Sequence, residues 1–301
     1  MVKFYRLACV VFTALFPMTT FAEVTGTDDT GNTLVFASPA KRVVSLSPHN
    51  TEIMFEIGAG DRLVGVVDHS DFPPEAASIP SVGGYHQTNV ELILSLKPDL
   101  ILGWQSGNDA RALTKLKQMG FNLYLTEPKT LKDIARTMQQ LAQLMGVEEI
   151  AAPKIKRFKE TREKLLRENK DKEPVTVFYQ VWQEPLYTLG GTHFSQDLFT
   201  LCNVKNAFGD VMENAPIVSI ESIISRDPDM MLTGHRHGKK AFKQLEEKWS
   251  AWSQLSAVKN KQLHFVDADL FTRSTPRALL GAVHLCELAD GVRTMKHTAG
   301  L

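Results

Sequence analysis

The sequence predicts an α/β protein of two similar lobes joined by one long α-helix. A stretch of thirteen residues occurs twice, at 90–102 and at 220–232, and each copy has a helical segment, a Pro-Asp turn and a buried strand. Short apolar strands alternate with helical segments in both halves, which is typical of parallel sheets covered by helices. A charged segment without glycine separates the halves. These features together predict two Rossmann-like lobes, each with a central, mainly parallel sheet.

The repeated stretch is the strongest of these observations. Two lobes that carry the same helix-turn-strand unit enclose a cleft, and clefts between domains commonly bind small ligands. A chance match between two common units is the alternative. Six of the thirteen aligned positions are identical, and these are Glu91/Glu221, Ile93/Ile223, Ser95/Ser225, Pro98/Pro228, Asp99/Asp229 and Leu102/Leu232.

Length and charge limit the possible classes. A chain of 301 residues with 43% hydrophobic and 23% charged residues suits two ordinary globular domains. Because 34 acidic residues balance 34 basic ones, the chain lacks the basic excess that is typical of nucleic-acid-binding proteins. We predict a signal peptide over 1–22, a first lobe over 23–147, a connecting helix over 148–170 and a second lobe over 171–301.

The N-terminus has the pattern of a secretory signal peptide. Lys3 and Arg6 precede an apolar run over 7–16, and Thr20-Phe21-Ala22 places small residues at the positions that signal peptidase requires. Cleavage is therefore expected after Ala22. A membrane anchor is the alternative, but the run is shorter than the roughly 20 residues that span a bilayer. The mature protein is expected to be soluble and exported.

The first predicted strand of the first lobe is Val43-Val44-Ser45-Leu46. Asn50 or Thr51 is expected to cap a short helix over 52–57, which ends at Gly58 or Gly60. Further strands are predicted at 63–67, 99–104 and 122–125, and further helices at 89–96 and 108–119.

The middle of the chain is predicted to be helical. Leu131, Ile134 and Met138 recur at helical spacing, and a charged segment then predicts one long helix over 148–169. The second lobe follows, with strands at 175–180 and 262–266, helices at 195–202 and 276–289, the repeated helix-turn-strand unit at 220–232, and an amphipathic segment near 239–255.

Two cysteines remain after removal of the signal peptide, Cys202 and Cys286. In an oxidising compartment two cysteines usually pair, although two separate buried thiols are the alternative. Zinc is poorly supported, because no C-x-x-C or H-x-x-x-H spacing accompanies them.

The sequence has no convincing catalytic set. Phosphate-binding, dinucleotide-binding and nucleophile-elbow glycine motifs are all absent, so we predict no catalytic residues and no enzymatic activity. His49, His69 and His86 follow first-lobe strands and can converge on a metal, although each is also typical of an ordinary loop. We expect no bound metal. An exported metal-dependent hydrolase is the alternative from another class, and a structural or adhesion module is a third.

The loops after the strands are rich in aromatic residues. Aromatic side chains favour broad apolar or conjugated ligands, although core packing accounts for some of them. Arg273 lies in such a loop, where it either donates to a ligand or forms a salt bridge that stabilises a lobe. The aromatic residues of these loops are Phe72, Tyr85, Trp104, Trp182, Tyr187 and Phe271.

Glu91 and Glu221 occupy the same position near the start of the repeated helix. An acidic residue in a first helical turn is favoured by the helix dipole alone. Two equivalent glutamates, one in each lobe, also present matched negative charges that a membrane partner with two basic sites can bind.

Taken together, these segments resemble the periplasmic substrate-binding proteins that serve ABC importers of cobalamin, siderophores and haem. The resemblance extends from Val43 to about Cys286 and is greatest to the cobalamin-binding members. It rests on residues 45–52 (S-L-S-P-H-N-T-E), 70–74 (S-D-F-P-P), 96–100 (L-K-P-D-L), Trp104 with Gly107-Asn108, and 274–277 (S-T-P-R) before Cys286.

The resemblance implies a class III periplasmic binding protein fold, with two lobes, a single connecting helix and only small hinge motion. It implies a disulfide between Cys202 and Cys286, and importer docking through Glu91 and Glu221. The implied protein is a periplasmic monomer without a cofactor of its own, which captures vitamin B12 or another corrinoid and delivers it to an inner-membrane ABC importer.

The resemblance also implies ligand contacts, with some departures. Cobalamin-binding members are expected to have tryptophan where this chain has Tyr85, Ile217 and Leu270. Trp182 and Tyr187 are candidates to compensate. Tyr85 and the nearby histidines can also ligate iron, so a siderophore or haem-iron carrier is the alternative in the same class. The positions implied for the ligand cleft are Phe72, Tyr85, Trp104, Leu270 and Arg273.

Overall fold

The computed structural model describes residues 23–234 and 238–299 of the chain. The predicted signal peptide lies outside the described residues. Within them, no helix combines the length and the apolar character that a membrane crossing requires.

The first lobe is an α/β layer structure. Short 3₁₀ turns at Gly60–Arg62 and Pro74–Ser78 belong to its loops. Its helices are α1 (Pro48–Glu56), α2 (Val90–Leu96), α3 (Ala110–Gln118) and α4 (Leu131–Met145). Its strands are β1 (Val24–Thr27), β2 (Thr33–Phe36), β3 (Val43–Ser45), β4 (Leu63–Val66), β5 (Gly83–Gly84), β6 (Gln87–Thr88), β7 (Leu100–Trp104) and β8 (Leu123–Thr126).

The rest of the chain consists of the connecting helix α5 (Glu148–Asn169) and the second lobe, which includes a 3₁₀ turn at Ser250–Trp252. The helices of the second lobe are α6 (Ser195–Leu201), α7 (Ile220–Arg226), α8 (Gly238–Trp249), α9 (Ser256–Lys259), α10 (Ala268–Thr272) and α11 (Ala278–Ala299). Its strands are β9 (Val175–Trp182), β10 (Tyr187–Thr188), β11 (Val204–Asn206), β12 (Met230–Gly234) and β13 (Leu263–Val266).

The central sheet of the first lobe has the order β4–β3–β7–β8, and all its pairs are parallel. The register aligns Val43 with Leu100 and Val44 with Ile101. Because neighbouring side chains in a strand point to opposite faces, Val43 and Leu100 join one buried cluster while Val44 and Ile101 join another. The sheet is therefore covered on both faces.

The second lobe repeats this arrangement. Its order is β10–β9–β12–β13, with β11 also paired to β9, and the pairs are parallel except β9–β10. The register aligns Val177 with Met230 and Phe178 with Met231. Again the two aligned pairs belong to different buried clusters, one on each face of the sheet. The predicted mainly parallel sheets are confirmed in both lobes.

The two repeated stretches form equivalent helix-turn-strand units. Asn89 caps α2 and Ser219 caps α7, each through a side-chain oxygen that accepts a backbone N–H three residues later. Both helices end at a residue with left-handed backbone conformation, Lys97 and Asp227. The strands β7 and β12 follow.

The aspartate after the shared proline explains part of the sequence identity. The Asp99 carboxylate accepts the backbone N–H groups of Lys41 and Arg42, at 2.8 and 3.0 Å. The Asp229 carboxylate accepts the backbone N–H of Thr176 at 2.8 Å. In each lobe this aspartate therefore binds the start of the neighbouring central strand, through charge-assisted hydrogen bonds.

Helix α1 begins four residues earlier than the predicted start at residue 52. Ser47 is the N-cap and accepts the N–H of Asn50, and Pro48 occupies the first helical position. Proline suits this position because its fixed φ is helical and its missing N–H has no partner to lose. Neither Asn50 nor Thr51 is the cap, and both are buried inside the helix.

The connecting helix α5 spans Glu148–Asn169, which agrees with the helix predicted over 148–169. It is mostly solvent-exposed, and one stripe that includes Ile155, Phe158 and Leu165 is buried. These three side chains belong to the same cluster as Val43 of the first lobe and Val177 of the second. A single apolar core therefore continues from one lobe to the other past the helix.

A disulfide joins Cys202 to Cys286, with an S–S distance of 2.04 Å and a Cα–Cα distance of 4.8 Å. The prediction that the two cysteines pair is confirmed, and the alternative of two separate thiols is wrong. Cys202 follows α6 directly and Cys286 lies within α11. The crosslink therefore fastens the last helix to the body of the second lobe.

The double substitution Cys202→Ala/Cys286→Ala should lower the free energy of unfolding by about 4–5 kcal/mol, because the crosslink closes a long loop in the unfolded chain. Urea titration followed by circular dichroism measures this loss. A reducing agent should destabilise the native protein by a similar amount and leave the double variant unchanged. Equal unfolding midpoints for the oxidised and reduced native protein would contradict the prediction.

Candidate functional site

A cavity of about 420 Å³ lies between the two lobes. Its walls come from the loops that follow β3, β4 and β7 in the first lobe and β13 in the second, so it lies at the carboxyl ends of parallel strands. Ligands of open α/β sheets bind at this edge. The lining residues are Pro48, His49, His69, Tyr85, Trp104, Asp269, Thr272, Arg273 and Ser274.

Trp104 ends β7 and is half-buried in the cavity wall. Its backbone N–H donates to the side-chain oxygen of Asn108 at 2.7 Å. Its indole ring covers Gly107 so closely that a Cβ at that position would clash with it. The glycine after the tryptophan is therefore required for the ring position, and alanine there would displace the ring.

Asn108 connects three parts of the cavity wall. Its side-chain oxygen accepts from Trp104, and its buried amide nitrogen donates to the carbonyl oxygens of Leu46 and Tyr85, at 2.8 and 2.9 Å. The rings of Tyr85 and Trp104 lie 5.9 Å apart between centroids, with planes tilted by 38°. Asn108 thus fixes the backbone of both aromatic residues, although it was not among the predicted site residues.

His49 is buried beside these rings. Its Nε2 lies 2.9 Å from the hydroxyl of Thr126, and its ring meets the edge of Trp104 at 5.4 Å and 89°. Burial lowers the pKa of His49 to about 3, so its imidazole is neutral at physiological pH. The cavity therefore receives a neutral polar group from this position.

The three histidines considered as metal ligands have different surroundings. His49 and His69 both line the cavity, whereas the ring of His86 lies against Tyr85, with centroids 4.0 Å apart. Across residues 23–234 and 238–299, no three or more His, Cys, Asp or Glu side chains are grouped so that they could hold a metal ion.

Arg273 faces the cavity from the second lobe. Its guanidinium lies 3.1 Å from Asp269, 3.2 Å from Asp71 and 3.6 Å from Glu52. Asp71 and Glu52 belong to the first lobe, so the predicted alternative of a salt bridge is present and it crosses the cleft. A ligand contact by Arg273 stays a prediction.

Phe72 lies next to this charged group, outside the cavity lining. Its ring is covered by the guanidinium of Arg277, whose carbon lies 3.7 Å from the ring centroid. The residue retains 38% of its surface exposed. One face of the ring is therefore already occupied by a cation of the other lobe.

The structure does not bring Trp182, Tyr187 or Leu270 into this cavity lining. Trp182 is 58% exposed and pairs across strands with Tyr187, at the edge of the second-lobe sheet. Leu270 packs against the buried core. Ligand contact by these three residues stays a prediction. Phe271 is fully buried, which confirms core packing for this aromatic residue.

Glu91 and Glu221 are exposed in the first turns of α2 and α7, one in each lobe. Hydrogen bonds from its own backbone N–H and from Ser219 lower the pKa of Glu221. The equivalent positions expected from the repeat are thus present on both lobes, while docking through them stays a prediction.

Comparison with known proteins agrees with this architecture. Residues 43–270 match the family described as periplasmic binding protein. The chain belongs to this family. A vitamin B12-binding protein of Vibrio cholerae is 36% identical over 249 residues, which cover 82% of this chain and 88% of that relative. A vitamin B12-binding protein of Yersinia pestis is 32% identical over 258 residues, covering 86% and 89% of the two chains.

Solved structures show the same fold as this periplasmic binding protein. The crystal structure of the periplasmic vitamin B12-binding protein BtuF of Vibrio cholerae has a TM-score of 0.78 at 35% identity, covering 85% of this chain and 98% of that chain. The periplasmic haem-binding protein HutB of Vibrio cholerae has a TM-score of 0.73 at 21% identity, covering 82% and 98%. The predicted class III periplasmic binding protein fold is confirmed.

The burial of neutral His49 predicts a pH dependence of stability. Its pKa is about 3 in the folded protein and near 6.5 in an unfolded chain. Between these values only the unfolded state binds the proton, so stability falls as the pH decreases. From pH 7 to pH 5 this residue should account for a loss of about 2 kcal/mol.

Urea titrations of the native protein and of His49→Gln at both pH values measure this difference. The native protein should lose about 2 kcal/mol more than the variant over this range. His297→Gln, which alters an exposed histidine, is the matched control and should behave like the native protein. Equal losses in the native protein and His49→Gln would show that burial of His49 has no such effect.

Proposed function

We propose that this periplasmic binding protein captures vitamin B12, a corrinoid, in the interlobe cavity and delivers it to an inner-membrane ABC importer. The observation that carries the proposal is a cavity between two lobes, walled by the fixed rings of Tyr85 and Trp104 on one side and by Arg273 on the other. Aromatic faces suit a broad macrocycle, and a guanidinium suits amide or phosphate oxygens at its edge.

The named relatives support the choice of ligand. Vitamin B12-binding proteins of two organisms share 32–36% identity with this chain over most of their length. The proposal includes export after cleavage behind Ala22, action as a monomer, and no cofactor of its own. As a member of a family of binding proteins, the protein holds its ligand without chemical change.

Haem is the second candidate, because one observation favours it. Tyr85 and His69 both line the cavity, and phenolate and imidazole groups are common axial ligands of haem iron. A haem carrier would use Tyr85 or His69 to ligate the iron, whereas a corrinoid carrier would use the ring face of Tyr85 to contact its ligand.

Calorimetric titration with cyanocobalamin, cobinamide, haem and a hydroxamate siderophore separates these candidates. We expect one-to-one binding of cyanocobalamin with a dissociation constant at or below about 1 μM, and weaker binding of haem and siderophore. Trp104→Ala should weaken cyanocobalamin binding by tenfold or more, since a stacking contact is worth about 1 kcal/mol beyond its buried area. Trp249→Phe, at a buried tryptophan outside the cavity lining, is the control. Tight binding of haem alone would overturn the corrinoid proposal.

We also propose that Glu91 and Glu221 dock the protein on its importer. Both are exposed and occupy the same position of the same unit in each lobe. A two-lobed protein with one such charge on each lobe offers two matched contacts to a partner with two basic sites.

The charge reversal Glu91→Arg/Glu221→Arg should abolish importer-dependent uptake and leave ligand affinity unchanged, because like charges then meet across the interface. Uptake of labelled cyanocobalamin in cells measures this. The control Glu160→Arg/Glu168→Arg makes the same change in charge at exposed positions of the connecting helix. Normal uptake with the reversed pair would refute docking through these residues.

A further inference from the structure

A bidentate ion pair joins the lobes next to Arg273 of the cavity lining. The Arg277 guanidinium, just before α11 in the second lobe, donates from Nε and one terminal nitrogen to the two carboxylate oxygens of Glu52 in helix α1 of the first lobe, at 2.7 and 2.8 Å. This is the fork-to-fork geometry that fixes both partners in distance and orientation. We refer to Glu52 and Arg277 as the interlobe pair.

The interlobe pair is shielded from solvent on the first-lobe side. The side chain of Glu52 is only 3% exposed. An exposed ion pair contributes little, but a buried carboxylate that loses its partner is costly. Glu52 is therefore held to the second lobe far more firmly than a surface residue would be.

Each side chain of the interlobe pair also contacts a candidate ligand residue on the opposite lobe. Arg277 of the second lobe covers the ring of Phe72 in the first, 3.7 Å from its centroid. Glu52 of the first lobe lies 3.6 Å from Arg273 of the second. The positions of Phe72 and Arg273 therefore depend on how the two lobes are placed relative to each other.

The interlobe pair is also close to the connecting helix. Behind it lies a groove lined by Arg277 together with Arg157 and Phe158 of α5. In addition to the helix, the interlobe pair and the contact of Arg273 with Asp71 tie the lobes together. Such ties restrict the rotation that a single helix alone would allow.

We propose that Glu52 and Arg277 are positioning residues, which fix the spacing of the lobes and thereby place Phe72 and Arg273 for ligand capture. Without the interlobe pair, the lobes should sample wider spacings, and only part of the population should present both side chains together. The spacing is a property of the unliganded protein, so this proposal does not depend on which ligand the cavity accepts.

The test measures the distance between the lobes directly. Lys117→Cys in α3 and Lys259→Cys in α9 are exposed positions, one on each lobe, and both can carry a spin label for pulsed electron paramagnetic resonance. In the otherwise native protein we expect one narrow distance distribution. Glu52→Gln should broaden it, with a shift of the mean by about 2 Å or more, the size of a recognisable domain rearrangement.

A double variant separates positioning from stability. Glu52→Leu/Arg277→Met replaces both charges with apolar side chains of similar size, a change that often preserves stability. It should therefore unfold near the native midpoint and still show the broadened distribution. This result would not be expected if the interlobe pair acted only by stabilising the fold.

The matched control is an ion pair of the same design within one lobe. Arg226 donates two hydrogen bonds to Asp210, at 2.7 and 3.0 Å, and its guanidinium covers the ring of Phe208 at 4.5 Å. Asp210→Asn should leave the distance between the lobes unchanged. An equal broadening in this control would overturn the proposal, as would a native distribution in the double variant.

If Glu52→Gln does not fold, Arg277→Lys decides, because it keeps the charge and loses the fork. A folded Arg277→Lys with the native distribution would reject the proposal.

A second readout rests on the proposed function. If the competent spacing falls to about a tenth of the population, affinity for cyanocobalamin should fall about tenfold. Failure of the native protein to bind cyanocobalamin would count against the ligand alone, since the distances between the labels are measured without it.

Discussion

The direction of the central strands is the constraint on which the rest of this structure depends. Parallel strands place all their carboxyl ends at one edge of a sheet, and in both lobes the loops from this edge line the same cavity. The sheets are held in this arrangement by the same device, an aspartate that binds the start of the neighbouring central strand, Asp99 in one lobe and Asp229 in the other. The cavity and the ion pairs of Arg273 therefore lie between the lobes, where the carboxyl ends of the strands meet.

Much of this architecture follows from local sequence patterns. The long helix over 148–169, the repeated unit and the alternation of strands and helices are governed by periodicity, capping and turn chemistry, which act within a few residues. The disulfide between Cys202 and Cys286 was predicted from the expected export of the chain and from the presence of only two cysteines after the signal peptide. The hairpin of β1 and β2 was not predicted. It depends on the buried Asp28, whose carboxylate accepts the backbone N–H of Leu125 in the distant strand β8.

The site was less accessible to sequence reasoning, because its contacts join residues far apart in the chain. Tyr85, Trp104 and Arg273 were expected from their positions after strands, and the structure brings them to one cavity. Asn108 has no local pattern that predicts its role, yet its amide joins the backbone of both aromatic residues. Glu52 was expected in the first turn of a later-starting helix. Since α1 begins at Pro48, this carboxylate instead lies in the second turn, where it faces the other lobe.

The ion pairs between the lobes differ in how strongly solvent screens them. Arg273 shares its contacts among an exposed carboxylate, Asp71 at 59% exposure, and two more buried ones, Glu52 and Asp269. Solvent screens an exposed pair, so the Asp71 contact is the weakest of these and the first that a ligand oxygen can replace. The bidentate pair between Arg277 and Glu52 has no such screening on the carboxylate side. Arg273 is therefore the more loosely held of the two arginines, and the contact of Arg277 is the one that better resists a change in the spacing of the lobes.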